Sequence, residues 1–186
     1  MQKRHDVILT GLGGMGVLLT GEMIVRSAPA EYKNVLWIPN YTTAQRGAPC
    51  DCIVILSDED IYSPLVDQAE AAIIMAASQL KAFENRVKPG GFILLETYGL
   101  SDKATRTDVK VIPMSAIETA AKKGDRLGAN MIALGLYVGV SKAVAPEHIE
   151  KTIGEKFAGK KQVLHHNLEL FWEGFKMGDM GSNLFS

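Results

Sequence analysis

Hydrophobic positions along the chain gather into short runs, separated by turn signals and by longer stretches with helical spacing. Asp6–Thr10, Val35–Pro39, Cys50–Leu56, Ala71–Ala76, Phe92–Glu96 and Val109–Pro113 are apolar or β-branched and too short for stable helices. Most are continuous rather than alternating, the pattern of strands covered on both faces. Between them the spacing predicts helices over Met15–Ala28, Ser78–Val87 and Ser115–Lys123. Lys88-Pro89-Gly90-Gly91 reads as a stop and turn ahead of the strand Phe92–Glu96. Strands alternating with helices define an α/β fold with a mainly parallel sheet, expected to be three-layered and Rossmann-like.

After Gly124 the pattern changes. Arg126–Ala143 is apolar almost all round, and Gly128, Gly135 and Gly139 permit close helix contact. Pro146 suits the first turn of the next helix, with Glu147 near its positive end. Leu168, Phe171, Trp172 and Phe175 recur at helical spacing within His165–Lys176. These segments predict a C-terminal helical layer, and residues 177–183 are expected to fray. The length of 186 residues suits a single domain over 1–186.

Composition narrows the function. With 47% apolar residues, 22% charged residues and a net charge of −1, the chain has no electrostatic grip on nucleic acid or an anionic membrane. Asn130, Ser141 and Lys142 interrupt the longest apolar stretch, Leu127–Val144, so it reads as a buried helix rather than a membrane span. The N-terminal residues lack the features of a secretion signal, and the expected location is the cytoplasm. Cys50 and Cys52, the 2 cysteines, are too few for a disulfide framework or an iron–sulfur cluster, and fit two small apolar side chains on one face of a strand. His5, His148, His165 and His166 show no metal-ligand spacing, and no catalytic triad is visible.

Gly11-Leu12-Gly13-Gly14-Met15-Gly16 satisfies G-x-G-x-x-G where a strand ends and a helix begins. Glycines there let backbone approach a ligand, and the N–H groups of a helix start favour an anion. A tight strand-to-helix turn without a ligand is the alternative. A dinucleotide site needs an acidic residue about 20 residues onward to hold the ribose, but Leu36-Trp37-Ile38-Pro39-Asn40 has none. The loop also lacks the Gly-Lys-Ser/Thr of a nucleoside triphosphatase. The polar stretch 40–64 follows, in which Arg46, ahead of Gly47-Ala48-Pro49, suits either a phosphate or carboxylate contact or a solvated or interface position.

With these stretches together, the chain resembles the gamma subunit of the 2-oxoacid:ferredoxin (acceptor) oxidoreductases. The likeness rests on Gly11–Val17, on Arg46-Gly47-Ala48 leading to Cys52 and Ser57, and on Ile61-Tyr62-Ser63-Pro64. It continues through Lys88–Gly91, Asn130-Met131-Ile132-Ala133-Leu134-Gly135, Asn167 and Gly174. The family usually has Gln where this chain has Met15, and Gly where it has Ala48. The resemblance implies oxidative decarboxylation of a 2-oxoacid, with coenzyme A accepting the acyl group and ferredoxin or another acceptor taking electrons. It places thiamine diphosphate, magnesium and iron–sulfur clusters in partner alpha, beta and delta subunits, so this chain would hold no cofactor and no complete active site alone. Its expected share is assembly and a contribution to the coenzyme A pocket. The candidate binding residues are Gly11, Gly13, Gly14, Met15, Gly16, Arg46 and Gly47, which could equally pack on a partner. Trp37, Tyr41, Tyr62, Phe171 and Trp172 are candidates for a partner-facing apolar surface, with a place in the core the default for most of them. The competing reading is a free-standing Rossmann-like dinucleotide-binding oxidoreductase.

Overall fold

A computed structural model describes residues 3–40 and 47–183. Its centre is a six-stranded sheet in the order β2-β3-β1-β4-β5-β6. The strands are β1 (Arg4–Leu12), β2 (Asn34–Asn40), β3 (Pro49–Ser57), β4 (Ala69–Ile74), β5 (Val87–Glu96) and β6 (Lys110–Met114). β1 pairs in parallel with β4, β4 with β5 and β5 with β6. β3 runs antiparallel between β1 and β2, in register from Arg4↔Ser57 to Leu12↔Pro49 on one side and from Asn34↔Ser57 to Asn40↔Asp51 on the other. Parallel and antiparallel strands buried on both faces carry the same continuous apolar signature, so the direction of β3 is not written in its own residues.

The helices are α1 (Val17–Ser27), α2 (Leu80–Phe83), α3 (Ala116–Lys122), α4 (Ala129–Ser141), α5 (Pro146–Lys156) and α6 (Lys161–Asn183). Side chains from α1, α3, α4, α5 and α6 share one core with Val7, Leu9, Cys52, Val54, Ile73 and Leu94. Alternate strand residues point the other way. There Leu80 and Phe83 of α2, with Leu100 and Ala104, cover Ala72, Ile74, Ile93 and Leu95. Ile8 and Ile55 lie instead beneath Val66 and Ile61, with Leu36, Ile38 and Ile53 only partly buried. The two outer layers are therefore unequal: one is built of long helices, the other of one short helix and loops.

Two predicted elements differ from the pattern. The helix expected over Ser78–Val87 is reduced to α2 between two single 3₁₀ turns, and Val87 already pairs with Ala69. The reason is non-local. Arg106 donates to the carbonyls of Glu84 and Val87, while Arg86 donates to those of Val66 and Asp67. Those carbonyls are thereby engaged outside any helical ladder. The turn at Lys88–Gly91 is an excursion within β5: Gly90 sits at φ 80° and donates to the Asp108 carbonyl before Phe92 resumes pairing with Ala71. The tail expected to fray remains helical to Asn183. Met177 packs on the core and Lys142 forms an ion pair with Asp179, so tertiary contacts hold a segment whose composition would not.

Candidate functional site

The glycine loop lies at the carboxyl end of β1, and most of its glycines serve the fold. Gly13 donates its N–H to the Ala48 carbonyl at 2.8 Å, and Gly47 donates to Gly13 at 3.2 Å, so the β1–β3 ladder continues past both strands. A Cβ on Gly11 would stand 2.9 Å from Val17 of α1. Gly16, at φ 77°, caps α1 without a side chain and backs onto Asn130, whose Nδ2 would lie 2.7 Å from an added Cβ. Gly14 differs. It has φ 95° and open space where a side chain would be.

Gly14 and Met15 form part of the rim of a cavity of about 450 Å³. Its walls come from Leu12 at the end of β1, Met75 and Ala76 after β4, Met114 of β6, and the starts of α3 and α4. From β1 the chain crosses through α1 to one side of the sheet, while β4 adds on the other side of β1. The cavity thus occupies the carboxyl-end crevice at the topological switch point, where open α/β sheets bind ligands. Glu96 closes the floor. It is buried, and its carboxylate accepts from the Tyr98 N–H at 2.9 Å and the Ile117 N–H at 3.2 Å, tying β5 to the first turn of α3. At the mouth the Arg126 guanidinium lies 4.4 Å from the centre of the Tyr98 ring, beside exposed Leu127.

Of the candidate residues, the structure brings Gly14 and Met15 to the cavity, whereas Gly11, Gly13, Gly16 and Gly47 lie outside its lining and serve the strand pairing and the packing of α1. Arg46 and Tyr41 lie outside the described residues. Ala48 occupies ordinary backbone, since Lys142 is the one described non-glycine residue with positive φ. Sequence reasoning missed Glu96, Tyr98 and Arg126, which belong to separate segments with no shared motif. Of the residues proposed to face partners, Phe171 is fully buried, Trp172 is partly buried with its indole N–H on Glu150, and Trp37 packs against the main core. Tyr62 is 92% exposed and Leu65, not anticipated, 83%. Cys52 is enclosed and its thiol is pushed up to about 12 by burial; burial also raises the Cys50 thiol. Among the described residues no cluster of His, Cys, Asp and Glu is placed to hold a metal ion, and no helix is long and apolar enough to cross a membrane.

The dinucleotide alternative meets a geometric obstacle. In that fold the ribose-binding acid ends the strand next to β1. Here β3 takes that place and moves β2 two strand spacings away, roughly 10 Å. At its end Asn40 donates to Asp51 of β3.

Fold and site together define an α/β protein with a switch-point cavity beside a glycine loop. Residues 6–177 match the pyruvate ferredoxin/flavodoxin oxidoreductase family, and the chain belongs to that family. The VorA subunit of ketoisovalerate oxidoreductase from Methanothermobacter thermautotrophicus is 30% identical over 90% of this chain, which spans only 35% of that relative's length. Two solved structures share the fold. The gamma subunit of a keto/oxoacid ferredoxin oxidoreductase from Geobacter sulfurreducens aligns at TM-score 0.80 and 23% identity, over 97% of this chain and 98% of that one. A 2-oxoglutarate:ferredoxin oxidoreductase from Magnetococcus marinus, with 2-oxoglutarate, coenzyme A and succinyl-CoA bound, aligns at TM-score 0.87 and 21% identity, over 97% of this chain and 32% of that one.

Proposed function

We propose that residues 1–186 form one gamma-type domain of a cytoplasmic, multi-subunit 2-oxoacid:ferredoxin or acceptor oxidoreductase. In this reading the complex decarboxylates a 2-oxoacid oxidatively and passes the acyl group to coenzyme A. Alpha, beta and delta partners carry thiamine diphosphate, magnesium and the iron–sulfur clusters, and ferredoxin or another acceptor takes the electrons. This chain holds its partners together and supplies one wall of the coenzyme A site.

The observation that carries the reading is the cavity of about 450 Å³ beside Gly14 and Met15. Its size lies within the range of small-molecule pockets, and its apolar walls with few polar groups have the usual character of such sites. Coenzyme A fits that donor set: Leu12, Met75, Met114 and Ile117 offer apolar contact, and Arg126 offers a cation at the mouth. Family membership supports the assignment, as does the coenzyme A bound in the Magnetococcus enzyme.

The test introduces Gly14→Asp into the assembled complex. Asp tolerates positive φ better than most residues, and the side chain enters open space at the rim. Its carboxylate would repel phosphate, so coenzyme A affinity should fall at least about tenfold, the equivalent of a single lost charge-assisted contact. Unchanged affinity in an intact complex would reduce this chain to an assembly subunit.

A further inference from the structure

We propose that Arg126 is the phosphate anchor of this cavity and that Tyr98 holds it in position at the mouth. The proposal rests on the coenzyme A reading and deepens it: an uncharged part of the ligand lodges inside, and an anionic phosphate group stays at the rim.

The cavity interior is lined by Leu12, Met75, Met114, Ile117 and alanines above the Glu96 floor, surroundings that offer a phosphate no cation. The charge must therefore stay at the rim. Two N–H groups of the glycine loop are already committed, Gly13 to Ala48 and Met15 to Leu12, and the loop carries no cationic side chain. Among the described residues lining the cavity, Arg126 is the one cation.

Its engagement sets Arg126 apart from the other described arginines. Arg4 pairs with Asp6, Arg26 with Glu22 and Arg106 with Asp108, while Arg86 donates to the carbonyls of Val66 and Asp67. Arg126 instead rests on the face of Tyr98. An aromatic face attracts the charge without supplying an oxygen for the guanidinium donors, whereas phosphate can accept two of them side by side.

The support is fixed on both sides. Buried Glu96 accepts the Tyr98 N–H, and Asp125 accepts the Leu127 N–H at 3.0 Å, which sets the turn that carries Arg126. Tyr98 is accordingly a positioning residue, while Arg126 contacts the ligand itself.

The experiment measures the Kd for coenzyme A of the assembled oxidoreductase across a range of salt concentrations, in wild type and in Arg126→Gln, Arg126→Lys and Tyr98→Leu. Arg126→Gln should raise Kd about 10- to 100-fold, the range for a lost charge-assisted contact, and flatten its salt dependence. Arg126→Lys should recover part of the loss, and Tyr98→Leu should give a smaller rise with the salt dependence retained. Arg126→Gln binding as tightly as wild type overturns the anchor and leaves the coenzyme A reading standing. A loss that keeps the wild-type salt dependence and is not relieved by Lys marks a purely structural effect and also overturns it. A wild-type complex that does not bind coenzyme A overturns the reading itself, and the anchor with it.

Discussion

His5 shows how a residue to which sequence gives no chemical role acquires a measurable consequence. Its Nε2 is enclosed without a hydrogen-bond partner among the described residues, and its ring lies 5.9 Å from the ring of buried Tyr137. Burial lowers its pKa below 6.5, outweighing the opposing pull of Glu70 and Asp6. The unfolded chain therefore binds this proton at a higher pH than the folded one. The stabilisation is fully present above pH 6.5 and is lost as pH falls through the window down to the lowered native value. Calorimetry between pH 7.5 and 5.5 (about one unit either side of the ordinary histidine value) should show Tm falling, and less steeply in His5→Phe, which keeps a ring beside Tyr137. An identical slope in the two proteins would contradict this. Glu31 and Glu70, whose pKa values lie below 4.5 against the cost of burial, act in a separate window at lower pH. The thiols supply a second check at this scale. With Cys52 pushed up to about 12 and Cys50 also raised, a thiol reagent at neutral pH should modify the native chain slowly and both cysteines rapidly in denaturant. Rapid modification of the native protein would show that these sulfurs are not packed as described.

At the scale of elements, the α4–α6 contact is the part of the fold most legible in the sequence. Gly135 and Gly139 were readable as close-contact positions, and they meet α6 backbone: a Cβ on Gly135 would stand 2.0 Å from the Phe171 carbonyl oxygen. Gly174 answers from α6, where a Cβ would stand 2.1 Å from the Ile132 carbonyl oxygen. Gly154 of α5 has nothing within 4 Å of its missing Cβ and gives the control. Gly135→Ala should cost about 2–3 kcal/mol, because overpacking against backbone outweighs the gain in helix propensity. Gly154→Ala should stabilise by about 0.5–1 kcal/mol through propensity alone. Urea denaturation distinguishes them by sign, and two shifts of the same sign would refute the close approach. The α5 start was equally legible, since Pro146 and Glu147 satisfy local rules of the first turn. The segment 78–87 was not, because the groups that break its helix, Arg106 above all, lie some twenty residues further along the chain. The glycine loop stands between these cases. Its place at a strand-to-helix junction was visible, but the bond from Gly13 to Ala48 and the contact of Gly16 with Asn130 required the sheet and the helix layer to be assembled.

Across the whole molecule the two sheet faces differ in cover, and that asymmetry bears on how the chain would meet partners. Five helices share the core on one face, whereas the β2–β3 half of the other leaves Leu36, Ile38 and Ile53 partly exposed. Beside them the segment after β3 presents Tyr62 and Leu65, flanked by exposed Glu59, Asp60 and Asp67. β3 ends opposite Arg4, at the start of β1, so this knob sits at the sheet edge away from the cavity. The antiparallel run of β3 decides this; the eight residues between β2 and β3 are too few for a parallel crossover, but that β3 also pairs with β1 emerges only in the assembled sheet. Under the proposed function, partner subunits cover this apolar, acid-edged patch while the cavity side takes coenzyme A. Burying one large apolar side chain is worth roughly 1.5–3 kcal/mol. Tyr62→Ser with Leu65→Ser should therefore weaken association with the partner subunits about 100-fold. The isolated chain should keep its thermal midpoint, because neither side chain is buried within it. Arg126→Gln should show the reverse pattern, with assembly intact and coenzyme A affinity reduced. If the double variant recovers its partners in full, the interface lies elsewhere on the molecule, and the partly covered sheet face must be stable in water on its own.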